Sequence, residues 1–294
     1  MQRSDLLKNR INPIIGKLKL TSIDRAVIKD FRNKLFKDGY SGNTINKCLS
    51  TIKTILEAAE EQSLIQYIPR IDRAAENPKT KGILSVEEVK KLLSFQWMSK
   101  PAHKHPAKPL FMEQTGNILA IVTGLRISEL QALTHADINL KENYITVRRS
   151  WNNRLHCMNE ETKTGKERII FYSDKIKGSL LKLINDNPHG KKSDSFVFYS
   201  EHIDKPKDKR AFSVALFSAL EEIGIDEDER KERNITFHSH RYFLNSLLIN
   251  NKVPLQKIQS ITGHDTIDMS THYYRADEMS DVLQITDSIL AEVI

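Results

Sequence analysis

Apolar residues recur at intervals of three and four in two stretches near the start of the chain. Ile23, Val27, Ile28, Phe31 and Leu35 predict an amphipathic helix over residues 22–37. Ser22 is its expected N-cap, with Arg25 rather than Glu three residues on, so the capping box is incomplete. Gly39 closes this helix. Ser41-Gly42-Asn43 opens a second, with Ile45, Leu49, Ile52, Ile55 and Leu56 on one face, and Ile65 to Ile68 ends the bundle. Residues 69–82 are polar and carry Pro69, Pro78, Lys79, Lys81 and Gly82, the composition of a linker. The pattern places a helical domain over residues 1–72, a linker over 73–83 and a second domain over 84–294.

In that second domain Ser85-Val86-Glu87-Glu88 is a capping box, followed by Val89, Leu92 and Leu93. Residues 111–122 and 127–133 read as two helices broken at Gly124. Residues 144–151 and 166–172 alternate as strands do, with turn signals at Asn152-Asn153 and Thr164-Gly165. A small antiparallel sheet of about three strands is expected. From Ala211 onward the chain reads as helical over 211–223, 236–250, 254–262, 266–274 and 278–292, with the acidic run from Asp226 to Glu232 as a solvated loop. The fold class is therefore mainly α with a small antiparallel β-sheet.

Charge changes this picture. Residues 1–82 carry 16 Lys and Arg against 9 Asp and Glu, and the remainder carries 29 of each, so the whole net charge of +7 sits in this N-terminal segment. A basic lobe beside a neutral one suits electrostatic grip on a polyanion, although an ordinary solvated basic surface accounts for charge alone equally well. Two cysteines, Cys48 and Cys157, cannot form a disulfide framework or a four-ligand zinc site. Cys157 reads as a bystander thiol rather than a nucleophile. There is no apolar leader at the start and no run approaching the ~20 apolar residues that span a bilayer, so a cytoplasmic protein is expected.

Candidate chemistry is spread over five short segments. Arg126 follows Gly124 at the start of a helix, where free N–H groups and the helix dipole favour an anion and a guanidinium can grip two phosphate oxygens. A salt bridge to Glu129 one turn on is the plainer reading, and both can hold. His238 and Arg241 share one helix face, with Phe237, Phe243, Leu244 and Leu247 free to bury the other. Spacing alone does not choose between His238 and His240. Pro254 is placed at N1 of a helix that Gly263 stops, with His264 just beyond. Tyr273 and Tyr274 point about 100° apart on the next helix, so only one can share a site with His264. Lys163 in a polar turn is, by itself, a solvated lysine.

Each signal is weak singly, but their order and spacing resemble the tyrosine recombinase, or phage integrase, family. Thr123-Gly124-Leu125-Arg126 with Glu129-Leu130 resembles the family's first arginine motif. Thr162-Lys163-Thr164 resembles its hairpin lysine, His238 and Arg241 its His-x-x-Arg, and Gly263-His264 its Gly-His turn; Tyr273 falls nine residues later, where the nucleophile stands. The family's usual His-x-Leu-Arg-His is here His238-Ser239-His240-Arg241-Tyr242, which removes no catalytic group. The resemblance covers roughly residues 20–293 and implies an N-terminal helical core-binding domain plus a catalytic domain. It also implies that the chain begins late, without the helix that usually precedes the Ile11–Leu20 segment and without an arm-binding domain.

The resemblance further implies site-specific cutting and rejoining of double-stranded DNA recombination sites through a 3′-phosphotyrosine, without cofactor, metal or ATP. Tyr273 is the implied nucleophile. Arg126, Arg241 and His264 stabilise charge, Lys163 protonates the leaving oxygen, His238 accepts a proton or bonds the phosphate, and Glu129 supports Arg126. The implied partners are DNA, a homotetramer with exchanged C-terminal helices, and accessory DNA-bending proteins. Val282, Leu283, Ile285, Ile289, Leu290 and Val293 form the apolar stripe for that exchange, though packing on their own domain explains it at least as well. A type IB topoisomerase and a DNA-binding regulator that no longer cuts are the competing readings.

Overall fold

The computed structural model describes residues 3–76, 82–101, 106–161, 165, 167–263 and 277–290. Two compact units divide between Lys79 and Thr80.

The first unit is helical from the start: Arg3–Leu6, a wider π-type stretch Leu7–Ile11, and Asn12–Ile15. Leu6 and Ile11 are five residues apart, and the wide turn brings both onto the face that Ile15 also uses. All three are buried with Ile28, Phe31, Leu35, Ile45, Leu49 and Leu56. The expectation that no helix precedes Ile11 is thus corrected. The next helix runs Arg25–Lys37 and is capped by Asp24, whose carboxylate accepts from Val27 N at 2.8 Å. Ser22 instead sits in a 3₁₀ turn and donates to Lys19 O. Ser41 caps the long helix Gly42–Glu61 as expected.

The polar stretch after Pro69 departs from its linker-like composition. Residues 69–76 have no regular secondary structure but are tied to the unit. The Asn46 amide donates to Ala74 O at 3.0 Å and accepts from Ala74 N at 2.8 Å, pairing as a neighbouring strand would. Asp72 accepts from Arg25 and Arg70, and Arg32 donates to the Asp72 carbonyl.

The second unit is built round the helix Phe111–Thr123, buried on nearly every side. Helices Asp174–Asn185, Lys209–Glu222 and Ser239–Asn250 pack against it. Ser85 forms the expected capping box of Val86–Leu93. The sheet region holds β1 (Ile138–Asn139), β2 (Tyr144–Val147), β3 (Ser150–Asn152), β4 (Cys157–Asn159) and β5 (Arg168–Phe171). They form an antiparallel sheet in the order β1-β2-β5 and a separate β3-β4 hairpin. One continuous strand over 144–151 is not formed, because Arg148 and Arg149 both turn onto the buried Asp137, each at 2.8 Å.

The acidic run is a short helix, Glu227–Glu232, rather than a loop. Asp226 caps it and Lys231 bridges Glu227 one turn back. The helix before Gly263 runs Leu255–Thr262, so Pro254 is its N-cap residue and not N1. The predicted helix 266–274 lies outside the described residues. The last helix is Ser280–Ile289, and Val282, Ile289 and Leu290 are buried in the core of their own unit. In the single chain, then, the apolar stripe expected to reach a neighbour packs at home, where it completes the apolar surface around Val86–Leu93. Val293 lies outside the described residues.

Candidate active site

Gly124 and Gly263 set the geometry of the site. Each ends a helix in the left-handed conformation, with φ of 64° and 60°, which favours glycine. At Gly124 an added Cβ would also press on Leu244 Cδ2 at 3.2 Å. The turn lets the chain leave the buried helix and start Ile127–Ala132 three residues later, with Arg126 as N-cap residue.

Glu129, one turn into that helix and 1% exposed, accepts four hydrogen bonds. Its Oε2 receives Arg126 N at 2.9 Å and Arg168 Nη2 at 2.6 Å. Its Oε1 receives Arg126 Nη1 at 2.7 Å and Arg168 Nη1 at 3.3 Å. Burial, the largest influence on this carboxyl, pushes its pKa up, but the charge and hydrogen bonds of Arg168, then those of Arg126, hold it below the ordinary range. Arg126 is therefore fixed by Glu129, and its Nη2 reaches Gly263 O at 3.2 Å. The expected salt bridge to Glu129 forms, and it leaves the Arg126 side chain 19% exposed.

Arg241 lies in the helix Ser239–Asn250 and is 1% exposed. Its Nη1 donates to Gly124 O at 2.7 Å, while Nε and Nη2 are buried without a hydrogen-bond partner among the described residues. A guanidinium with two unspent donors is costly in a protein interior. Burial first, and Arg126 next, push its pKa down to about 9, still protonated at neutral pH. Two guanidiniums that feel each other's charge, one with donors to spare, make a seat for an anion with paired oxygens.

His238 is exposed at the N-cap position of the helix that carries Arg241, with its ring 4.8 Å from Tyr242 in an edge-on arrangement. His240, which spacing left open, is instead buried in the core, with Nε2 2.8 Å from Asn117 Oδ1. The described residues thus bring together Arg126, Glu129, Arg241 and the Gly263 turn, with His238 on the helix of Arg241. Lys163, His264, Tyr273 and Tyr274 lie outside the described residues. Cys48 is buried and Cys157 exposed, both as free thiols.

Sequence reasoning missed Arg168. In β5 it shares a face with Ile170, and both are buried while Ile169 and Phe171 are half-buried. A cation on the apolar face of a strand was the available signal.

In a mainly helical two-unit protein, two guanidiniums close enough to feel each other's charge can hold an anion such as a phosphate. Residues 84–280 match the phage integrase family and residues 1–36 the phage integrase N-terminal SAM-like domain. The chain belongs to the phage integrase family, the tyrosine recombinases. It is 26% identical over 271 residues to tyrosine recombinase XerD of Oceanobacillus iheyensis, covering 89% of this chain and 82% of that one. It is 23% identical over 281 residues to a XerC-like tyrosine recombinase of Caldanaerobacter subterraneus, covering 87% and 68%. In fold it is similar to the Tn1549 transposon integrase in complex with a circular intermediate DNA, with TM-score 0.70 at 17% identity over 100% of this chain and 90% of that one. It is also similar to a lambda integrase dimer bound to a COC′ core site, with TM-score 0.58 at 17% identity over 90% and 83%. No helix among the described residues is long and apolar enough to cross a membrane.

Proposed function

We propose that this protein is a site-specific recombinase that cleaves and rejoins double-stranded DNA through a 3′-phosphotyrosine intermediate, independently of metal and ATP. The observation that carries this reading is Arg241, fully buried yet with two guanidinium donors unspent, beside an Arg126 fixed by Glu129. The anion that suits them is a phosphodiester whose non-bridging oxygens gain charge in the transition state.

In this reading Tyr273 Oη attacks phosphorus, the bond to the 5′-oxygen breaks, and a 3′-phosphotyrosine and a 5′-hydroxyl result. Lys163 gives the proton to the leaving 5′-oxygen. His238, exposed at the mouth of its helix, accepts the tyrosine proton or bonds the phosphate. Arg126, Arg241 and His264 neutralise the oxygens, and Glu129 holds Arg126. Because the phosphotyrosine ester conserves the bond energy, rejoining is the reverse attack by a 5′-hydroxyl.

The basic first unit grips the duplex. An open cavity of about 770 Å³ in that unit is walled by Arg25, Lys29, Arg32 and Arg70 together with Asp24 and Asp72, and its excess of cations offers a place for the backbone. Recombination is carried out by a homotetramer on paired sites, with accessory bending proteins where the sites are bent, in the cytoplasm at the nucleoid. Exchange of the C-terminal helix between protomers requires Val282, Ile289 and Leu290 to leave their own core, at roughly 5–9 kcal/mol of burial to be recovered on the neighbour. The test is covalent trapping on nicked recombination-site DNA. A Tyr273-dependent adduct formed in EDTA supports the reading, and tight DNA binding with no adduct contradicts it.

A further inference from the structure

Glu129 serves two guanidiniums, and only one belongs to the proposed reaction. Arg168 comes from β5, a different part of the chain, and is 7% exposed. Besides its two bonds to Glu129, its Nε donates to Ile261 O at 2.9 Å, in the last turn before Gly263. An added Cβ on Gly263 would meet the guanidinium of Arg168 at 3.4–3.5 Å, so the turn lies directly on it. One side chain therefore ties β5 to the N-terminus of Ile127–Ala132 and to the C-terminus of Leu255–Thr262.

We infer that Arg168 is a positioning residue for the transesterification, acting through Glu129 on Arg126 and through Ile261 on the Gly263 turn. The inference rests on the reading of Arg126 as a phosphate-binding catalytic residue. Two physical consequences follow from the geometry. First, a carboxylate bonded to Arg126 alone could rotate about its terminal torsions. Gripped from the other side by a buried fork, it presents Oε1 and Oε2 to Arg126 in one orientation. Second, Glu129 paired with Arg126 alone is a neutral couple. Adding Arg168 leaves Arg126, Arg168, Arg241 and Glu129 with a net charge of +2, so Glu129 orients Arg126 without cancelling the field that draws a phosphate. The Gly263 carbonyl, held in place by the Ile261 bond next to it, receives Arg126 Nη2 and fixes the outer end of the same guanidinium.

The experiment is a double-mutant cycle on single-turnover cleavage at saturating site DNA, well below each variant's melting temperature, with Arg168→Met, Arg126→Met and the double variant. Arg168→Lys, which keeps the charge but not the fork, accompanies them in case Arg168→Met does not fold. Arg168→Met is expected to slow cleavage about 10- to 100-fold at saturating DNA, with Arg168→Lys between it and wild type. In the Arg126→Met background the same change is expected to cost little further, because the residue it acts through is gone. Additive effects of the two substitutions, or a lowered melting temperature with unchanged single-turnover rate in either Arg168 variant, overturn the inference and leave Arg168 as a structural brace. If Arg126→Met itself cleaves like wild type, the failure lies in the proposed function instead.

Discussion

His240 Nε2 lies 2.8 Å from Asn117 Oδ1 in the core of the second unit. The Asn117 amide is oriented by its two donations, to Glu113 O at 2.8 Å and Phe212 O at 3.2 Å, so its oxygen faces His240 and the imidazole must donate. His240 is thus a neutral strut between Phe111–Thr123 and Ser239–Asn250. Burial, then His238, push its pKa down to about 3. The unfolded chain takes up this proton near the ordinary ~6.5, while the folded chain does not until about 3. The resulting stability is whole above the unfolded pKa and is lost as pH falls from there toward 3, with a limiting slope of about 1.4 kcal/mol per pH unit. Urea unfolding at pH 7.5 and pH 5 should show a larger loss for wild type than for His240→Gln. Equal losses contradict the assignment.

Arg241→Met should separate function from stability. Losing one charge donor to the transition state costs on the order of 10²–10³ in cleavage rate. The same change removes a buried guanidinium with two unpaired nitrogens, so the melting temperature should hold or rise. Millimolar sulfate should raise the melting temperature of wild type by mass action and do so much less in Arg241→Met. A variant that melts far below wild type would mean that Arg241 is a structural residue.

Glu129→Gln should be the more damaging change. It leaves two guanidiniums facing a neutral amide, and breaking a buried pair this way costs about 3–5 kcal/mol. The carboxyl of Glu129 is held below its ordinary range, so its contribution is present above the unfolded value and lost as pH falls through the lowered folded one. Acid unfolding followed by fluorescence should show this step in wild type and not in the variant.

In the first unit, Asn46→Ala should free residues 69–76. The Ala74 N–H and carbonyl lose their partner, worth about 1–3 kcal/mol. Limited trypsin digestion should cut at Arg70 or Arg73 faster in the variant than in wild type. Unchanged cleavage would show that the ion pairs of Asp72 hold this segment without the amide.

Much of this architecture is legible from local pattern. The apolar spacing from Ile45 to Leu56 and the glycines at 124 and 263 describe helices and stops that form as read, because the local signal and the tertiary packing agree there. Asp174–Asn185 was missed although Ser173 caps it and Ile176, Leu180 and Leu183 are spaced by four and three. Residues 69–76 looked like a linker because their composition is polar; they are docked by partners 28 to 47 residues away, Asn46, Arg32 and Arg25, which no local pattern encodes.

The candidate site was legible where motifs are contiguous in sequence, as with Arg126 and Glu129. Arg168 was not, because its role depends on contacts 39 and 93 residues distant along the chain. The choice between His238 and His240 likewise turns on which ring faces Asn117, a partner 123 residues away.

The most direct test of the account is covalent trapping in EDTA. Nicked recombination-site DNA would be mixed with wild type and with Tyr273→Phe, and the products resolved on a denaturing gel. The account predicts an adduct with wild type that is absent from Tyr273→Phe, while both proteins bind the DNA equally. An adduct that persists in Tyr273→Phe would contradict the assigned nucleophile and move it to Tyr274. Tight binding by wild type with no adduct would contradict the proposed chemistry itself.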